Sequence, residues 1–141
     1  MKLQIFVDGA ARGNPGDAGI GIVIRQDKKT ILRISDYIGK TTNNVAEYMA
    51  LIRALEEALL LGYDQADAIS DSELLVKQLK GEYKVKNQGL LPLFHHLKSL
   101  IKRFKHFDIQ HTFREGNKEA DQLANKGIDD HFMTDAPLFK Q

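Results

Sequence analysis

Apolar and polar positions alternate at the start of the chain. Leu3, Ile5 and Val7 fall two apart within residues 2–8, which predicts a short strand ending on Asp8. Residues 9–19 (GAARGNPGDAG) carry four glycines and a proline, which predicts a tight loop. The β-branched runs 19–26 (GIGIVIRQ) and 30–38 (TILRISDYI) are separated by Asp27, Lys28 and Lys29 and predict an antiparallel hairpin. The first three strands then form a meander.

The period next becomes helical. Thr42 or Asn43 can cap a helix running to about Leu61, with Gly62 as its stop. At 100° per residue Glu47 shares a stripe with Leu51, Ala54 and Ala58, and Glu56 lies opposite. Residues 66–70 predict a short strand ending in Asp71, and SELLVKQL a helix that starts at once. Leu93, Leu97, Leu100, Ile101 and Phe104 mark a further amphipathic helix over 90–104, with Pro92 tolerable in its first turn. A strand is expected over 108–113, then a helix capped by Asn117 and carrying Leu123, Ala124 and Ile128. This order predicts an α/β fold with a mixed sheet: one domain over residues 1–130 and a tail over 131–141.

Composition narrows the classes. The 141 residues, 43% of them hydrophobic, suffice for one domain with a real core. The absence of cysteine removes disulfide frameworks and thiolate metal sites, and a cytoplasmic location is expected. No run approaches the roughly 18 apolar residues of a membrane span, and the first residues do not form a signal peptide. A net charge of +1 neither recommends nor excludes nucleic acid. No apolar stripe is left over for self-association, so a monomer is expected.

Asp8, Glu47, Asp71 and Asp121 stand where strands end or helices begin, at the edges of apolar runs. Each has a local explanation. Asp8 can bond turn amides, Glu47 can close a capping box with Asn44, Asp71 can cap its own helix, and Asp121 suits a helix dipole. If the strands ending in Asp8 and Asp71 lie side by side and parallel, both acids project from one sheet edge, where ligands gather in such sheets. The helices starting near Thr42 and Asn117 can then bring Glu47 and Asp121 over it. Oxygen donors without cysteine or clustered histidine suit Mg2+ first and Mn2+ as a substitute. Two such ions about 4 Å apart would act on a phosphodiester.

The motifs FVDGAARGNPGDAGIG, TTNNVAEYMALIRAL, ISDSELLVKQL and GNKEADQLANKGI, in that order, resemble the ribonuclease HI family over residues 1–128. The resemblance implies a ribonuclease H-like fold with a five-stranded mixed sheet. It also implies an endonuclease that cuts the RNA strand of RNA–DNA hybrids, leaving 5′-phosphate and 3′-hydroxyl ends. Its two Mg2+ ions would be bound by Asp8, Glu47, Asp71 and Asp121. Gly9, Ala10, Arg12, Asn14, Thr42, Asn43 and Asn44 become candidate minor-groove contacts, and Lys84, Lys86 and Asn87 candidate contacts to the DNA strand.

This sequence departs from the family pattern in three places. The loop at 114–118 lacks the histidine common in the family, which makes Glu115 a candidate to take its part. Residues 81–91 are too short for the basic, tryptophan-bearing protrusion, and the chain has no tryptophan. Glu73 stands where glutamine is common. The rival reading is therefore a catalytically weak or inactive nucleic-acid-binding module of the same fold. Retention of all four acids favours an enzyme, because such a cluster without cations repels itself. Double-stranded RNA is a second substrate to be tested.

Overall fold

The computed structural model describes residues 1–135. Five strands form one sheet in the order β3-β2-β1-β4-β5: β1 (Leu3–Gly13), β2 (Gly16–Gln26), β3 (Lys29–Thr41), β4 (Gln65–Ser70) and β5 (His106–His111). β1, β2 and β3 form the expected antiparallel meander, while β4 runs parallel to both β1 and β5. The β2–β3 turn needs only two residues, Asp27 and Lys28, both at positive φ (50° and 68°), as the tightest hairpins require.

Four helices complete the domain: α1 (Asn43–Leu60), α2 (Glu73–Leu79), α3 (Leu91–Ile101) and α4 (Lys118–Asp135). Leu3, Ile5 and Val7 of β1 and Ile20, Ile22 and Ile24 of β2 pack with Tyr48, Leu51 and Leu55 of α1 and Leu97 and Leu100 of α3. α4 packs on β2, with Ala120 and Ala124 fully buried. That contact is backbone on backbone. A Cβ at Gly21 would overlap the Ala120 carbonyl oxygen, and one at Gly19 the Ala124 carbonyl oxygen. Gly21→Ala is therefore expected to lower the melting temperature by several degrees, because overpacking costs about 1–3 kcal/mol. A thermal melt against wild type measures it.

Several expected boundaries shift, each for a physical reason. β1 does not end on Asp8 but continues through Gly13, pairing Gly9 with Ile20 and Gly13 with Gly16. The glycine at position 9 serves close approach of α1: a Cβ there would overlap the Ala46 backbone. β5 begins two residues earlier than expected and ends at His111, because its ladder can last only as long as β4 does (Gln65↔His106 to Ser70↔His111). Asn117 belongs to a 3-10 turn, Arg114–Asn117, and spends its side-chain amide on the Val7 carbonyl instead of capping α4. α4 reaches Asp135, so residues 131–135, expected in the tail, continue the helix; the rest of that tail lies outside the described residues.

Candidate active site

The site forms where β4 leaves the sheet. β1 pairs with β4 only as far as Val7↔Ser70, so Asp8 and Asp71 are the next residues on two parallel strands. Beyond that point β1 continues without β4. Two of its backbone groups beside this break bond to side chains. Asn117 Nδ2 donates to the Val7 carbonyl (2.7 Å), and the Gly9 N–H donates to Glu47 Oε1 (2.7 Å). Glu47 reaches that amide because Gly9 lets α1 lie against β1, and because Thr42 starts the helix at the right phase. Thr42 Oγ1 accepts from the Val45 N–H (3.2 Å), which makes Thr42 the cap and leaves the capping box with Asn44 unformed.

Carboxylate oxygens of Asp8, Glu47 and Asp71 lie within 4.8 Å of one another. Asp8 is 4% exposed and Glu47 5%, while Asp71 is half-buried. Asp121, at the start of α4, lines the same cleft of about 410 Å³. Burial raises the Asp8 pKa far above the ordinary carboxylate range, and Glu47, Asp71 and Asp121 push it further up. Glu47 is raised as well, mainly by burial; the Gly9 N–H and the Arg114 guanidinium pull it only partly back. One guanidinium cannot balance this set. Clustered, desolvated oxygen donors are what hard divalent cations need, so the residues present fit the metal the fold implies.

The remaining expected residues divide. Gly9, Ala10 and Asn43 line the acid cleft. Asn14 Oδ1 accepts from the Asn43 N–H (3.0 Å), tying the β1–β2 turn to the start of α1, and Asn44 is exposed beside them. Arg12 turns to α4, pairing with Asp129 (2.7 Å) and Asn125 Oδ1 (3.2 Å). Lys84 and Lys86 are exposed and do not line the cleft; Asn87 Oδ1 accepts from the Gly89 and Leu90 N–H groups ahead of α3.

Glu115 does not line the acid cleft. It lines a separate depression with Arg25 and Lys118, whereas Arg114 lines the acid cleft. Glu115→Ala is accordingly expected to leave the cleavage rate within about twofold, the range of surface substitutions. Single-turnover kinetics on a labelled hybrid checks it. Sequence reasoning also missed Thr112 and Phe113 as cleft residues, and did not use Arg114. The only available signal was their position directly after a strand at the acid-bearing sheet edge.

A β3-β2-β1-β4-β5 sheet with this carboxylate cleft beyond its parallel pair defines a domain of the ribonuclease H class. Residues 6–127 match a family profile described as "Reverse transcriptase-like". The ribonuclease HI of Halobacterium salinarum is 38% identical over 130 residues, covering 92% of this chain and 65% of that protein. The solved RNase H1 of that archaeon superposes with a TM-score of 0.89, over 92% of this chain and 99% of that one. The chain belongs to the ribonuclease HI family, a family of hydrolases. LC11-RNase H1, isolated from compost by a metagenomic approach and solved in complex with an RNA/DNA hybrid, is 44% identical with a TM-score of 0.87, covering 92% of this chain and 99% of that one. A bifunctional protein of Mycobacterium tuberculosis is 43% identical over 131 residues, but the chain spans only 36% of its length. Among the described residues no helix is long and apolar enough to cross a membrane.

Proposed function

We propose that the chain is an endoribonuclease that hydrolyses the RNA strand of RNA–DNA hybrids with two divalent metal ions, leaving 5′-phosphate and 3′-hydroxyl ends. The observation that carries this reading is the convergence of Asp8, Glu47 and Asp71 within 4.8 Å in an open cleft, in a family whose relative LC11-RNase H1 was solved on a hybrid. Asp8, Glu47 and Asp71 hold the ions and Asp121 completes the set, with Mg2+ as the natural ion and Mn2+ as a substitute. Ions held there would supply Lewis acidity for phosphodiester hydrolysis. The Gly9 amide orients Glu47, and Asn117 fixes the carbonyl of Val7, the residue before Asp8. Gly9, Ala10 and Asn43 line the cleft, where their polar groups can meet ribose hydroxyls in the shallow minor groove. The protein acts as a monomer.

A labelled RNA–DNA hybrid, a DNA duplex and an RNA duplex, each incubated with Mg2+, Mn2+ or a chelator, test the reading. Cleavage is expected for the hybrid with either metal and not with the chelator. An intact hybrid under Mg2+ and Mn2+ refutes it, and equal cleavage of the RNA duplex refutes the strand discrimination.

A further inference from the structure

Phe113 presents a large apolar ring to water, 76% exposed, at the rim of the acid cleft. Its backbone is held on both sides. The Thr112 N–H donates to the Ser70 carbonyl (2.9 Å), one residue before Asp71, and the Gly116 N–H donates to the Phe113 carbonyl (2.9 Å). Gly116 packs so closely on Thr112 that a Cβ there would overlap the Thr112 hydroxyl. Among the described residues the Phe113 ring meets one other aromatic ring, edge-to-face with exposed His111 (centroids 5.7 Å apart, 77° between planes). An anchored backbone that holds an aromatic ring off the body of the protein, beside a nucleic-acid cleft, has the form of a stacking platform.

We infer that Phe113 stacks on a nucleotide of the cleaved RNA strand next to the scissile phosphate, an inference that rests on the hybrid ribonuclease reading above. The cleaved strand is the one assigned because Phe113 and the metal-binding acids line the same cleft. His111 and Glu73 line both the acid cleft and a groove between α2 and β5 that also holds Lys77, Lys80, Glu82 and Gln110. Lys77 is paired with Glu73 (3.0 Å), which leaves the Lys80 ammonium of this groove to meet a phosphate of a strand that passes Phe113. Every base has a π face, so the platform adds affinity without base preference.

Phe113→Ala, Phe113→Leu and Phe113→Tyr, compared with wild type for kcat and KM on a labelled hybrid, test the inference. The same changes in an Asp71→Asn background report the Kd without cleavage. Phe113→Ala is expected to raise Kd and KM about fivefold or more, the loss of one base stack. Tyrosine should restore both and leucine should not, and the melting temperature should be unchanged because the ring is exposed. With RNA strands shortened from either end, the alanine penalty should vanish on one side of the cleavage site only. A Kd for Phe113→Ala equal to wild type, full rescue by leucine, or a penalty that survives every truncation overturns the platform. A wild-type protein that neither binds nor cuts the hybrid overturns the functional reading instead.

Discussion

Asp71→Asn is expected to lower hydrolysis of an RNA–DNA hybrid by at least about a thousandfold while the fold and hybrid binding survive. Metal-assisted charge stabilisation is worth several kcal/mol, and each 1.36 kcal/mol is tenfold in rate. The fold survives because Asp71 carries no structural duty that asparagine would forfeit. The cap of α2 is Ser72, whose Oγ accepts from the Leu75 N–H (3.2 Å), and the turn before it is held by the Ser72 N–H on Ser70 Oγ (3.0 Å). Asparagine keeps the shape and removes the charge that a cation needs. Cleavage of a labelled hybrid, read beside a thermal melt and a binding isotherm, separates the outcomes. Wild-type cleavage by Asp71→Asn would mean that the acid cluster is not the machinery; lost melting would mean that Asp71 has a structural role.

The chain states some of this plainly and hides the rest. Glu47 was legible because an 18-residue helix repeats its period often enough to fix the phase, and the stripe it shares with Leu51, Ala54 and Ala58 is buried throughout. The approach of Asp8 to Asp71 was legible from element order, since a strand, an acid and a helix in succession put an acid at a parallel strand's end. Gly9 misled, because glycine marks both turns and close backbone approach, and only the packing of α1 tells which. That Glu115 lines a depression apart from the acid cleft was hidden too: a four-residue 3-10 turn is too short to show a period of three. β5 has one buried residue, Ile109, so alternation could not set its bounds, and pairing with β4 did. What hid, in each case, was decided by a partner distant in sequence.

In metal-free buffer the melting temperature is expected to fall by at least about 5 °C between pH 5.5 and pH 8.5, and Asp8→Asn is expected to remove much of that fall. Asp8 and Glu47 both have folded-state pKa values raised above those of the unfolded chain, chiefly by burial. A raised pKa means that the native state binds protons more tightly than the unfolded state. Its stabilising contribution is complete below the ordinary carboxylate range and is lost as pH rises toward the folded-state values. Asp67, Glu119 and Asp129 behave oppositely. Their pKa values are lowered by cationic partners, so their contribution is lost only as pH falls through the carboxylate range, below the window tested. The part of the decline from pH 5.5 upward that Asp8→Asn removes therefore reports the acid cleft. On the proposed reading Mg2+ would bind the ionised cluster and not the unfolded chain, and it is therefore expected to raise the melting temperature more at pH 8.5 than at pH 5.5. Thermal melts of wild type and Asp8→Asn at both pH values, with chelator or with Mg2+, make the comparison. A metal-free wild type that melts higher at pH 8.5 would mean that the acids are already neutralised by the protein itself, and that no cation is needed to hold them together.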